Sequence, residues 1–98
     1  MTNDERKARG HQARRLLDDQ TLAEAFEEIH AGLVDKFINT EPQEVPTRDR
    51  AYYEIKALAA VKDKLNAWVE DGKLAARDDT QAEADRQARQ KGDQVGVI

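Results

Sequence analysis

Cysteine and serine are both absent from the 98 residues, and the two gaps remove most nucleophilic chemistry. Without cysteine there is no disulfide, no thiolate metal site and no cysteine nucleophile. Without serine a Ser-His-Asp triad cannot be built. Aromatic residues make up only 5% of the chain and there are two prolines, so bulky core side chains and rigid turns are both scarce. No apolar run approaches the roughly 20 residues that cross a bilayer. The opening MTNDERKARG also lacks the apolar segment of a secretory signal. No membrane partner is expected, and the compartment of synthesis is the expected location.

What is present is charge and helical periodicity. Hydrophobic residues make up 39% of the chain and charged residues 37%, which suits one small domain with a limited core. Domains of this size are commonly completed by a metal, disulfides or association. The missing cysteines leave association as the expected supplement. In Thr47–Gly72, Ala51, Ile55, Leu58, Val61, Leu65, Trp68 and Val69 recur at three- and four-residue steps, one face of a helix. Thr47 is placed to cap its first turn and Gly72 to end it.

A second stripe, Leu22, Phe26, Ile29, Leu33 and Phe37, follows the T-x-x-E spacing of Thr21 and Glu24, the pattern of a capping box. Pro42 biases Glu41 away from helical geometry, so this helix should end near Asn39 or Thr40. The proline-bearing loop 40–46 is short enough to join antiparallel neighbours. The expected fold is all-α: an antiparallel helical hairpin with extra terminal helices or arms, completed by oligomerisation. Its seam comprises Leu22, Phe26, Ile29, Leu33 and Phe37 against Ile55, Leu58, Val61, Leu65 and Trp68, with Trp68 toward Leu22. The expected division is a polar basic helix or arm over 1–20, a hairpin core over 21–75 and a polar tail over 76–98. Within that tail, Thr80 and Glu83 suggest a short helix over 81–91 stopped at Gly92, followed by an apolar end, Val95 to Ile98.

Charge is unevenly spread. Residues 1–17 hold five basic residues, Arg6, Lys7, Arg9, Arg14 and Arg15, against two acidic ones, whereas residues 18–47 hold eight acidic residues against Lys36 alone. A basic end beside an acidic segment suits head-to-tail contact between copies. The basic cluster is also a candidate polar contact arm for nucleic acid. That reading is disfavoured by the isoelectric point near 5.2 and by the lack of interleaved aromatics for base stacking. Gly10 interrupts this segment and should weaken it as a helix.

Sites of chemistry are missing throughout. His30 with Glu27 and Asp35 has no neighbours to complete a metal set. Glu27 and Glu28 point to different sides of a helix and form no acid–base pair, and no glycine-rich loop follows a strand. No catalytic, cofactor-binding or metal residue is assigned, no cofactor is expected, and an enzyme is not expected.

From Arg14 to Ala75, the order ARRLLDDQTLAEAFEEIHAGLVDKF, a proline-bearing link, RDRAYYEIKALAAVKDKL and VEDGKLA resembles a group of small helical-hairpin proteins encoded among the head and packaging genes of tailed bacteriophages and prophages. The most distinctive shared segment is Val69-Glu70-Asp71-Gly72-Lys73-Leu74. The resemblance implies a setting: a non-enzymatic structural or assembly protein that forms a homo-oligomer or docks on a larger shell, portal or packaging protein. It would act in the host cytoplasm during assembly or in the virion. The alternative in the same setting is a small nucleic-acid-associated or regulatory module, such as a DNA-packaging recognition subunit using the basic arm.

Overall fold

The computed structural model describes residues 1–96. It is all-α, with three helices: α1 (Asn3–Asp18), α2 (Gln20–Ile38) and α3 (Val45–Gly96). At 1.5 Å per residue the 52 residues of α3 span about 78 Å, which accounts for the longest dimension of an 84 × 26 × 18 Å molecule. The other two helices lie end to end along it, running the opposite way. Lys36 shares a groove with Arg50 and Ala51, the Lys62 ammonium lies 5.6 Å from the Phe26 ring, Gly10 meets Gly72 and Asn3 bonds Asp79. Thus α2 lies along α3 from about Arg50 to Lys62 and α1 along it from Leu65 to Asp79, α1 making the more extensive contact, while residues 80–89 of α3 are exposed beyond α1.

Local chemistry explains the starts and the one internal break. Thr2 caps α1 in a reciprocal box: its hydroxyl accepts from the Glu5 N–H at 3.1 Å, and the Glu5 carboxylate accepts from the Thr2 N–H at 3.2 Å. A single extended residue, Asp19 (φ −71°, ψ 117°), then separates α1 from α2. Its N–H donates to the Leu16 carbonyl, closing α1, and its carboxylate accepts from the Leu22 N–H at 2.8 Å, opening α2. Asp19 therefore takes the capping role expected of Thr21, which falls inside α2. Two residues earlier, a carboxylate accepts from an orphan backbone donor of the first turn and is also favoured by the helix dipole.

The α2 terminus agrees with the Pro42 signal: the helix ends at Ile38 and Asn39 caps it, with its N–H donating to the Asp35 carbonyl. α3 starts at Val45 rather than at Thr47. Pro46 sits in its first turn, where a missing N–H costs nothing.

Two expected interruptions are absent. Gly72 does not end its helix, and Gly10 lies within an unbroken α1; among the described residues no glycine has positive φ. Gly72 is followed by KLAARDDTQAEADRQARQ, rich in strong helix formers, so helical propagation continues through it. The short helix expected over 81–91 is part of α3. Thr80 does not cap it; its hydroxyl donates back to the Ala76 carbonyl at 3.0 Å. The boundary drawn at residue 75 accordingly falls inside a helix. Of the apolar end, Val97 and Ile98 lie outside the described residues.

The core is small and off-centre. Ala13, Leu65 and Val69 form one buried cluster, joined by partly buried Leu17 and Trp68. Ala51 and Ala75 are buried elsewhere along α3, and α2 contributes no buried residue.

Candidate functional site

The residues of the expected seam are placed unevenly. Leu65 is buried, and Leu22, Phe26, Leu33, Phe37, Ile55, Leu58 and Trp68 are partly buried. Phe26, Ile55 and Leu58 line one shallow groove with Glu27, His30, Ala59 and Lys62. Ile29 and Val61 are each 52% exposed and lie outside the packing within the chain. Leu65 and Trp68 are taken by α1: both pack with Ala13, Leu17 and Val69, and the Arg9 guanidinium stands 4.9 Å from the Trp68 ring centre. Trp68 thus packs on α1, whereas its expected place was beside Leu22 on α2. The reason is that α1 continues the line of α2 across the Asp19 break and so covers the stretch of α3 that the seam alone would leave open.

The basic arm divides in two. The Arg6 guanidinium grips Asp71, with Nη2 donating at 2.8 Å and Nε donating to both carboxylate oxygens at 3.1 and 3.2 Å, while Nη1 donates to the Asn3 side chain. Arg9 reaches the same carboxylate at 3.4 Å. Its buried Nε finds no acceptor among the described residues, and the Trp68 ring compensates part of that loss. Lys7 bonds the Asp79 carboxylate, which also accepts from Asn3 at 3.0 Å. By contrast, Arg14 makes only an exposed pair with Asp18 on its own helix at 3.6 Å, and Arg15 has no ion pair among the described residues.

These contacts set the protonation behaviour of the clasp. The hydrogen bond from Arg6 holds the Asp71 carboxyl below its usual range, and the hydrogen bond from Lys7 does the same for Asp79. In return, Asp71 raises Arg6 and Asp79 raises Lys7. Such bonds favour the charged form of each partner, against a smaller opposing effect of desolvation.

Beneath the clasp the two backbones nearly touch. A Cβ built on Gly10 would lie 3.0 Å from the Gly72 Cα and from the Trp68 carbonyl oxygen; one built on Gly72 would lie 3.1 Å from the Gly10 Cα and 3.2 Å from the Arg6 carbonyl oxygen. A side chain at either position would press on the facing backbone, so these two residues set the close α1–α3 separation. Reading Gly10 and Gly72 as helix breakers obscured this role. A visible signal was the seven-residue spacing of Ala51, Leu58, Leu65, Gly72 and Asp79, which places Gly72 and Asp79 on the packing line of one continuous helix.

Among the described residues no group of three His, Asp or Glu side chains is placed to hold a metal, and no helix is long and apolar enough to cross a membrane. The grooves are shallow and open, so what the arrangement offers is surface for contact. No protein-family profile, curated protein or solved structure matches the chain.

Proposed function

We propose that this protein is a non-enzymatic assembly protein that acts through protein–protein contacts, and that α2 with the facing half of α3 is a helical hairpin completed by another chain. The setting, from the resemblance of residues 14–75, is head morphogenesis in a tailed phage, with docking on a shell, portal or packaging component. The observation that carries the reading is incomplete burial: α2 buries no side chain, and Ile29 and Val61 remain half exposed beside it. Apolar surface left in water is stabilised by whatever covers it, at roughly 25 cal/mol per Å².

The competing reading, a DNA-packaging recognition module, needs the basic arm to meet phosphates. Arg6, Lys7 and Arg9 already face Asp71 and Asp79, which weighs against it. Sedimentation of the full chain, together with pull-down of shell, portal and packaging subunits, tests the proposal. A chain that stays monomeric and captures none of them would overturn it. Retention on DNA at low salt, lost on removing residues 1–15, would transfer support to the competing reading.

A further inference from the structure

We infer that α3 carries a self-complementary face, centred between Ala60 and Val61, on which a second copy of this chain docks antiparallel about a two-fold axis. The inference rests on the association proposed above and adds its partner and geometry. Tyr53, Ala57, Ala60, Val61, Lys64 and Trp68 fall within an arc of about 100° on α3, beside the Ala51–Leu58–Leu65 line that faces α1 and α2; Trp68, at its end, packs on α1 along one side and is partly exposed on the other. Tyr53 is 69% exposed and Val61 52%, and Ala57, Ala60 and Lys64 are exposed as well. Ala60, Val61, Lys64, Leu65 and Trp68 wall a shallow trough whose lining is almost entirely apolar.

The order of residues along this stripe indicates what fits it. Turning the stripe end for end about its centre places Tyr53 opposite Trp68 of the second copy, and Ala57 opposite Lys64. Large rings then close both ends while the short side chains of Ala57 and Ala60 let the helices approach at the middle. Charge obeys the same symmetry. Glu54, beside the stripe, comes within a helical turn of Lys64 of the second copy, and the two-fold repeats that pair. Within one chain, Glu54 pairs with the exposed Arg50 on its own helix at 3.0 Å, and Lys64 has no ion-pair partner among the described residues. A parallel arrangement would instead set Lys64 beside Lys64 and Glu54 beside Glu54. The stripe spans about 24 Å of an 84 Å molecule, so the net charge of −4 on each copy is spread beyond the screening length of physiological salt.

Because the chain contains no cysteine, a single introduced thiol reports the geometry. In the otherwise full-length protein, Ala60→Cys is expected to form an intermolecular disulfide under mild oxidation, since residues at the axis come within the Cα separation a disulfide spans. Asn66→Cys, exposed on another side of α3, is expected to stay unlinked. Lys64→Glu and Glu54→Lys should each raise the dimer dissociation constant about tenfold, and the double variant should restore it. Circular dichroism is expected to be unchanged in all of them.

An oligomer that persists with no Ala60→Cys linkage and no response to Lys64→Glu would overturn this face while leaving the association in place. A chain that remains monomeric at every concentration would overturn docking of a second copy, leaving the pull-down of larger partners to decide the proposed function. Charge variants that weaken the dimer but are not restored in combination would overturn the antiparallel register.

Discussion

The two halves of the molecule invert what their compositions suggest. α1 has almost no apolar residues, yet its junction with α3 holds Gly10, Ala13, Leu65, Val69, Gly72 and Ala75 in buried positions. α2 carries Leu22, Phe26, Ile29, Leu33, Val34 and Phe37, yet its junction with α3 buries only Ala51. The difference is one of approach distance. Two facing glycines let the α1 and α3 backbones come into contact, so small side chains exclude solvent and the charged groups above them are held in hydrogen-bonding range. Between α2 and α3 the bulky side chains keep the helices apart and lie partly open along the flanks. Apolar content decides that a surface wants cover; side-chain size decides whether a neighbouring helix of the same chain can supply it.

The largest expected effect comes from breaking the close half. Gly72→Leu forces a branched side chain against the Gly10 Cα and the Arg6 carbonyl. It should destabilise the fold by about 3 kcal/mol or more, seen as a lower urea midpoint and as faster amide exchange throughout α1. Leu65→Ala, in the buried cluster, should cost about 2–3 kcal/mol, and Leu58→Ala, in the open half, clearly less. Equal losses at the two leucines would mean that the halves are packed alike.

Acid should loosen the close half. Because Asp71 and Asp79 are depressed in the fold, their contribution is complete above the ordinary carboxylate range, near pH 4. It is lost as pH falls through their lower folded-state values. Lys7, which is raised, contributes below its ordinary range and loses that contribution as pH climbs through its folded value. Amide exchange of α1 followed from pH 6 to pH 2 should show it releasing first, and Asp71→Asn should flatten that dependence. The smallest effect is a gain. Gly32 has nothing within 4 Å of a Cβ built on it, so Gly32→Ala should stabilise α2 by up to about 1 kcal/mol, read as a small rise in melting temperature.

Much of the helical content was legible because it is written in local terms. The stripe from Ala51 to Val69, the proline that limits α2 and the absence of any strand pattern depend on neighbours a few residues apart. The Thr21 box misplaced the start of α2 by two residues because the Asp19 carboxylate offers a cap acceptor sooner. Gly10 and Gly72 misled for a different reason: an isolated glycine signals a helix stop and a close crossing equally well, and only the presence of the other glycine across the interface separates the two. For the same reason Arg6, Lys7 and Arg9 looked like an arm free to meet a partner. Their carboxylate partners lie more than 60 residues away in sequence, beyond the reach of any window that reads local charge.

By itself, then, the sequence determined the all-α class, the absence of disulfide and thiolate chemistry, the α2 terminus and the apolar stripe of α3, since each follows from residue type and short-range spacing. Only the tertiary structure decided that α3 runs unbroken through Gly72, that α1 rather than α2 claims Leu65 and Trp68, and that three of the five basic-arm residues, Arg6, Lys7 and Arg9, are held by α3. Those outcomes turn on how near two distant backbone segments can come, and that distance is set jointly by residues on both.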